Sequence, residues 1–239
     1  MPQSYFIWNG ADCRSKGIIL RGPVPIVRPE ERVKHVEIPG RDGDVTETEG
    51  ENIFNSYIQT AEISVRGGFR VREIFKWLRG SGYVTFSGEP DRKQAARIIG
   101  AITLNKVSRN MDHWAGEVQF YCQPLKEKLT DSPVTITSSG STVRNNGDVA
   151  CKPIITATAS GTTLVINIRG KILTLTGATS GHVYKIDTDM MEISDMTPFP
   201  PVVVTKNSSG SFPVLQPGSN AVAGSGWSQL VFDRRERFL

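Results

Sequence analysis

The sequence predicts a mainly β protein with two domains, and three observations lead to this prediction. Apolar and polar residues alternate along most of the apolar stretches, only one stretch has a helical period, and the charge content changes near residue 129. The 239 residues are 38% hydrophobic and 22% charged, which is enough apolar content for a core. This composition excludes a wholly disordered chain.

In the first part of the chain, two-residue alternation marks the strands. It runs through residues 57–66, continues in a short stretch at 82–87, and returns on one face formed by Ala96, Ile98, Gly100, Ile102 and Leu104. It appears again from Trp114 to Cys122. A period of two is typical of strands with one buried face, so we expect strands in these stretches, and a further apolar strand at 33–38.

One segment between these strands has a helical period. Val71, Ile74, Phe75 and Leu78 are spaced i, i+3, i+4 and i+7, which places four apolar side chains on one face. Lys and Arg side chains cover the opposite face, and Gly80 supplies a stop signal. The pattern predicts one helix over residues 69–79.

The second part shows β-branched runs and no helical period. Seven runs lie at residues 134–137, 154–158, 164–168, 172–176, 183–186, 202–205 and 230–232. Clusters of Asn, Gly, Ser and Pro separate these runs, and a new strand begins roughly every 8 to 12 residues. Short strands with turn signals at this spacing predict an antiparallel β-sandwich.

A shift in composition places the domain boundary. Residues 1–129 contain 19 Lys and Arg and 16 Asp and Glu, whereas residues 130–239 contain 9 and 8. A polar stretch bounded by Pro124 and Pro133 lies at this shift and includes Lys126, Glu127 and Lys128. We therefore expect a linker there and domains at 1–129 and 130–239.

Net charge and hydropathy limit the classes of function. The formal charge is +4, but basic and acidic residues are interspersed, which favours a mixed solvated surface over a dedicated nucleic-acid-binding face. The first 20 residues contain no apolar run typical of a signal peptide, and no stretch approaches the ~18 apolar residues of a membrane span. We expect a soluble protein without an export signal or membrane insertion.

The residues best suited to catalysis or metal binding form no known pattern. Cys13, Cys122 and Cys151 are odd in number and contain no C-x-x-C pair, so they are expected to be reduced, partly buried thiols. The histidines, His35, His113 and His182, are far apart in sequence and form no metal-binding pair. Cys13 paired with a distant histidine remains an unsupported alternative. We expect no enzymatic activity, no cofactor and no bound metal.

Three weaker motifs favour structural interpretations. Asp187, Asp189, Glu192 and Asp195 are oxygen ligands of the kind that bind calcium, but their spacing is not that of an EF-hand, and solvated carboxylates explain them better. The Gly80-Ser81-Gly82 sequence follows a helix, which is the reverse of the order in phosphate-binding loops. Trp227 lies in an apolar strand pattern, so a core position is favoured over sugar stacking.

The sequence Pro39-Gly40-Arg41-Asp42-Gly43-Asp44 is a stronger local feature. It follows the apolar stretch 33–38, and two glycines flank a charged pair, which indicates a tight turn. An acidic stretch at 46–51 extends the segment. We expect an exposed hairpin whose tip contacts another protein chain.

Ten short motifs follow one another over nearly the whole chain. In the first part they are residues 28–33 (RPEERV), 38–44 (IPGRDGD), 77–82 (WLRGSG), 85–92 (TFSGEPDR) and 120–124 (FYCQP). In the second part they are residues 145–148 (NNGD), 152–155 (KPII), 186–187 (ID), 212–220 (FPVLQPGSN) and 234–237 (RRER). In their order and spacing, these motifs resemble the distal tail proteins of phages with long non-contractile tails.

The resemblance implies a fold and an assembly. The fold would be an N-terminal domain like that of tail-tube proteins, with one helix, and a C-terminal galectin-like sandwich. Six copies would form a ring in the virion tail tip, after assembly in the host cytoplasm. The ring would connect the tail tube and tape-measure end to tail-tip or receptor-binding proteins, and phage DNA would pass through its channel without specific binding.

The resemblance also assigns a role to charged residues near the turn. The expected subunit contacts are Arg28, Glu31, Arg32, Arg41, Asp42 and Asp44. Residues 190–210 match nothing specific in the family, and we expect an elaborated loop there that contacts a partner. The alternative to an assembly protein is a two-domain carbohydrate-binding protein involved in host-surface attachment.

Overall fold

Strands make up most of the chain in this computed structural model, which describes residues 4–48, 50, 52–67 and 71–239. The strands form several antiparallel sheets and accompany one α-helix, so the prediction of a mainly β fold is confirmed. Residue contacts define two compact units. Unit 1 is Met1–Leu129 with Leu239, and unit 2 is Thr130–Phe238.

Unit 1 is built on one antiparallel sheet. Its elements are β1 (Phe6–Trp8), β2 (Ala11–Asp12), a 3-10 helix (Cys13–Lys16), β3 (Ile18–Leu20), β4 (Val33–Glu37), β5 (Asp44–Thr48), β6 (Tyr57–Arg66), α1 (Val71–Trp77), β7 (Ser81–Phe86), β8 (Arg92–Ile99), β9 (Leu104–Ser108) and β10 (Met111–Lys128). The strand order is β2-β1-β7-β8-β10-β6-β3, and β9 also pairs with β10. Strands β4 and β5 form a separate two-stranded sheet.

The predicted helix is present, but its buried face is rotated. Of the expected core residues, Ile74 and Leu78 are buried, whereas Phe75 is 39% exposed. Trp77 packs against the core instead, with its ring stacked on Phe6 at 5.8 Å. Because successive helical residues are about 100° apart, a face that includes Trp77 leaves Phe75 at its margin. Residues 69 and 70, expected in the first turn, lie outside the described residues.

Two sequence-based predictions around β10 are wrong. The strand expected from Ala96 to Leu104 is divided, because Gly100 has φ +69° and redirects the chain between β8 and β9. Strand β9 pairs with the first part of β10, and β8 pairs with its later part. The polar stretch expected to be a linker belongs to β10 up to Lys128, and Lys126 is 5% exposed with its ammonium 2.6 Å from Glu89.

Phe120 of β10 is the centre of the unit 1 core. It is fully buried and contacts the rings of Phe6, Trp8 and Phe86 at centroid distances of 5.3, 5.7 and 5.6 Å. These partners come from β1 and β7, and Trp77 of α1 stacks on Phe6. The aromatic cluster therefore joins elements that are distant in sequence.

Unit 2 contains two antiparallel sheets. Its strands are β11 (Val134–Ile136), β12 (Ser141–Asn145), β13 (Ile154–Ala159), β14 (Thr163–Ile168), β15 (Lys171–Thr176), β16 (Val183–Asp187), β17 (Glu192–Asp195), β18 (Val202–Val203), β19 (Ser208–Gly210), β20 (Gly218–Ser225), β21 (Trp227–Asp233) and β22 (Arg237–Phe238). A second 3-10 helix lies at Thr205–Asn207. One sheet has the order β11-β21-β13-β16-β17-β18, and the other has the order β12-β20-β14-β15-β19.

The two sheets of unit 2 share one hydrophobic core, as expected for a β-sandwich. Ile155 and Phe232 of the first sheet and Ile166 and Val222 of the second belong to the same buried cluster. Alternate residues of each strand point into this core, which is the geometry that sheet-on-sheet packing requires.

A buried ionic network holds the last part of unit 2 to its first residues. The guanidinium of Arg234 lies 2.7 Å from the Asp131 carboxylate and 3.0 Å from Glu236. It also donates to the carbonyl oxygens of Ser132 and Arg144. Since the three ionic side chains are at most 16% exposed, the attraction within the network is screened only weakly by solvent.

We predict that Phe120→Ala destabilises unit 1 by about 3–5 kcal/mol, because it removes a buried ring and leaves a cavity between three aromatic side chains. Chemical denaturation, with hydrogen exchange of unit 1 peptides as the readout, measures the change in the free energy of unfolding. Tyr121→Ala is the matched control, since Tyr121 is adjacent but 41% exposed, and we expect a much smaller loss. Equal losses for the two variants would contradict the assigned core.

We predict that Arg234→Met destabilises unit 2 by about 3–5 kcal/mol, because two buried carboxylates lose their shared cation. The neighbouring Arg235 is 38% exposed and lies 3.5 Å from Asp187, so Arg235→Met is expected to change the free energy of unfolding by less than about 1 kcal/mol. Denaturant unfolding of the two variants compares them directly. A loss for Arg234→Met no larger than that of the control would show that the network adds nothing to stability.

Candidate subunit interface

The predicted hairpin is formed by β4 and β5, which pair from Val33 opposite Thr48 to Glu37 opposite Asp44. Residues 38–43 connect the strands. Gly40 and Gly43 have φ values of +82° and +75°, which is the conformation that the glycines of the turn motif supply without strain. We call residues 32–54 the arm.

Both ends of the arm meet at one point of unit 1. Glu31 and Phe54 form an isolated β-bridge, and the amide of Arg32 donates to the carbonyl of Ile53 at 2.8 Å. The Arg32 guanidinium donates to the Asn55 side chain at 3.1 Å. Phe54 is only 5% exposed, so the base of the arm is buried and its two chain segments are held to each other.

The rest of the arm lies outside the unit 1 core. None of the described residues of β4 and β5 belongs to the core cluster, and only Val33, Val36 and Val45 are half-buried. A two-stranded hairpin is marginally stable by itself in water. Its backbone edges and its exposed Ile38 side chain are therefore available to another chain.

The predicted contact residues form two groups, one at each end of the hairpin. Arg28, Glu31 and Arg32 lie near the base, where Arg28 and Glu31 form an exposed pair at 3.9 Å that contributes little to stability. Arg41, Asp42 and Asp44 lie at or beside the tip. The five-residue strands separate the groups by roughly 17 Å.

The tip presents charges of both signs. Arg41 and Asp42 are exposed and have no ion-pair partner among the described residues. Asp44 is instead held by His35, whose Nδ1 lies 2.8 Å from the carboxylate and 3.3 Å from the Thr46 hydroxyl. His35 had no expected role, and its position opposite Thr46 becomes evident only when the strand register is known.

The other candidate residues do not converge on a site. Asp187 accepts backbone hydrogen bonds from Asp189 and Met190, while Asp189 pairs with Lys152 at 2.9 Å. The Lys152 ammonium lowers the pKa of Asp189. Within the described ranges, no group of three or more His, Cys, Asp or Glu side chains is placed to hold a metal ion.

The thiols and the indole of Trp227 are parts of the cores. Burial raises the pKa of Cys13 and raises those of Cys122 and Cys151 to about 12, so all three remain protonated near neutral pH. Trp227 is 8% exposed and donates to the carbonyl of Val165, so its ring does not offer a face to a sugar. In the part of the chain that is described, no helix is long and apolar enough to cross a membrane.

Comparison with known proteins adds a structural similarity. No family model matches the chain, and no curated protein matches its sequence. The solved structures that it resembles include phage SPP1 Dit (gp 19.1), described as "a Paradigm of Hub Adsorption Apparatus in Gram-positive Infecting Phages", with a TM-score of 0.80 over 99% of each chain. The chain shares the fold of SPP1 Dit. The sequences are 18% identical, so the similarity establishes the fold alone.

In unit 2, Asp195 links β17 to the segment that follows it. It is 8% exposed, and its carboxylate lies 2.7 Å from His182 Nδ1 and accepts the Thr197 amide at 3.0 Å. Burial raises the pKa of Asp195, but the hydrogen bonds from His182 and Thr197 outweigh it, and the net pKa is lowered. The ionised form is therefore favoured by folding.

We predict that this carboxylate makes unit 2 sensitive to acid. Because the folded pKa is lowered, its stabilisation is present above the unfolded pKa of about 3.9 and is lost as pH falls through the folded pKa. Asp195→Asn keeps the side-chain oxygen but removes the charge, so unit 2 should lose on the order of 1 kcal/mol near neutral pH and depend less on pH below about 4. Hydrogen exchange of unit 2 peptides measures this, with exposed Glu192→Gln as the control. If the stability of unit 2 in Asp195→Asn depended on pH as it does in the wild type, Asp195 would not be the source of the acid sensitivity.

Proposed function

We propose that this chain is a structural hub protein of a phage tail tip, in which six copies form a ring. The ring connects the tail tube and tape-measure end to tail-tip and receptor-binding proteins. Unit 1 builds the ring around a channel through which DNA passes, and unit 2 is a galectin-like sandwich. The role is mechanical and requires no catalysis or cofactor.

The observation that carries this proposal is the match to SPP1 Dit over 99% of both chains. A match of this extent includes both units, so it is more informative than a match to one common β-sandwich would be. The ordered motifs of the sequence lead to the same family without reference to the structure.

The arm supplies a physical reason for assembly. A hairpin fixed at its base and outside the core gains stability when a neighbouring copy covers it. The opposite charges of Arg41 and Asp42 at the tip suit a contact between different surfaces of two subunits, where complementary charge sets register. Head-to-tail contacts of this kind close into rings.

Ring formation also accounts for the sheet edges of unit 1. Strands β2 and β3 are the edges of its sheet, and exposed edges invite pairing with other chains. In a ring, a neighbouring subunit can cover each exposed edge, so that the edge does not pair with unrelated chains.

We predict that the wild-type protein has a mass near six times 26.3 kDa in light scattering coupled to size exclusion. Arg41→Glu should weaken self-association at least about tenfold and shift the mass toward 26.3 kDa on dilution, because it replaces a tip cation by an anion beside Asp42. Arg109→Glu alters another exposed turn arginine of unit 1 and should leave the mass unchanged.

The two parts of the proposal fail separately. A strictly monomeric wild-type protein at high concentration would overturn the ring. A stable ring of unchanged mass in Arg41→Glu would retain the ring and remove the tip from the subunit contact.

A further inference from the structure

Unit 1 contains a groove whose lining includes charges of both signs. It is an open cavity of about 510 Å³ lined by residues of β6, β9 and β10 and by Arg21, which follows β3. We call it the charged groove. Its charged side chains, all of them exposed, are Arg21, Glu62, Lys106 and Glu117.

Strand pairing brings the two carboxylates of the groove together. Glu62 of β6 lies directly opposite Glu117 of β10 in the antiparallel register. The Cβ atoms of such a pair are about 4.5–5.5 Å apart, and like charges at this position repel each other. Within the described residues neither carboxylate forms an ion pair, and Glu117 accepts a hydrogen bond from the Gln119 side-chain amide at 3.2 Å. Their repulsion is therefore not relieved by an ion pair within the chain.

The two cations of the groove flank these carboxylates. The Arg21 amide donates to the Glu62 carbonyl at 3.0 Å, and Lys106 lies on β9, which pairs with the opposite edge of β10 from β6. In the part of the chain that is described, neither cation has a carboxylate partner, and the Lys106 ammonium donates to the Arg109 carbonyl at 3.3 Å. The groove therefore presents two negative charges between two positive ones, and these charges are available to another surface.

The tip of the arm carries the charges that such a groove requires. Arg41 and Asp42 are adjacent and exposed, and among the described residues neither has an ion-pair partner. Gly40 and Gly43 flank them, so no neighbouring side chain of the turn obstructs their approach to a groove. A cation and an anion side by side match a surface on which carboxylates lie next to cations.

The chain does not place its tip in its own groove. Arg41 forms no ion pair with Glu62 or Glu117 within the described structure. The tip lines a separate cavity, and no described residue lines both cavities; the lining of the tip cavity is Glu37, Ile38, Pro39, Arg41, Gly43 and Asp44. A contact between the tip and the groove therefore requires a second copy of the chain.

Other occupants suit the charged groove less well. Its central carboxylates repel the phosphates of a nucleic acid. A calcium ion takes about six to eight oxygen ligands, and in the described ranges no group of three or more His, Cys, Asp or Glu side chains is placed to hold a metal ion. An unrelated protein would have to supply the same arrangement of charges. Every copy of this chain already carries it, on a hairpin that gains stability when another chain covers it.

We propose that the charged groove receives the arm tip of a neighbouring copy, with Arg41 between Glu62 and Glu117 and Asp42 beside Lys106. Each copy then supplies one tip and one groove, so the contact is head-to-tail and repeats from subunit to subunit. The inference rests on the self-association in the proposed function, and it names the surface that the tip contacts.

The test exchanges charges between tip and groove in the full-length protein. Arg41→Glu and Glu117→Lys are the single variants, and a double variant combines them. Glu73→Lys is the matched control, since Glu73 is an exposed carboxylate of α1 outside the groove. Light scattering coupled to size exclusion over a dilution series gives the concentration at which half of the chains are assembled. Far-UV circular dichroism verifies that each variant keeps its fold.

We expect each single reversal to raise this concentration at least about tenfold, because it places like charges in contact. Additive losses would make the double variant about a hundredfold weaker than wild type, whereas we expect it to assemble no less well than either single variant. Glu73→Lys should remain within about twofold of wild type and should not rescue Arg41→Glu.

The proposal is overturned if the losses of the double variant add, or if Glu117→Lys assembles as wild type does. It is also overturned if Glu117→Lys keeps wild-type self-association but loses binding to a purified tail protein of the same phage, since that protein would then occupy the groove.

The mass of the assemblies separates this inference from the proposed function. A six-copy ring in which the two losses add retains the ring and refutes the groove contact. Coupled losses in an assembly of a different mass retain the contact and refute the six-membered ring. A monomeric wild type at high concentration overturns both.

Discussion

The packing of aromatic rings around Phe120 is the constraint on which unit 1 depends. Phe120 lies in the long strand β10, and its neighbours come from β1 and β7, with Trp77 of the helix stacked on Phe6. Strand β10 also pairs with β6, which follows directly after the base of the arm. The arm is therefore next in sequence to a strand that pairs directly with the strand at the centre of the core.

The two units keep their charged groups in different environments. In unit 2, Arg234, Asp131 and Glu236 are buried together, where a low dielectric makes both their attraction and the loss of any one of them large. In the arm, Arg41 and Asp42 are solvated, where single ion pairs are worth little but complementary patches still guide association. The same residue types are thus buried and paired in one region, and exposed and solvated in the other.

The sequence predicted strands well where one face is apolar, as in β6 and β13, because burial of alternate side chains imposes a period of two. Among the strands that it missed are β12, β17 and β20. Strand β20 is rich in Gly, Ala and Ser, and β12 and β17 are short and polar, so their alternation is weak. The turn at 38–43 was predictable because glycine relieves a local strain. The partnership of His35 with Asp44 was not, since it depends on pairing between two strands.

The sequence by itself determined the mainly β class, the single helix, the change in composition near residue 129 and the charged turn around Arg41. These follow from periodicity, turn chemistry and composition, which are local properties of the chain. Only the tertiary structure decided that Trp77 rather than Phe75 faces the core, that Lys126 is buried beside Glu89, and that the apolar side chains of 190–203 lie exposed at a sheet edge. Whether a residue is buried depends on which side chains pack against it, and those side chains are distant in sequence.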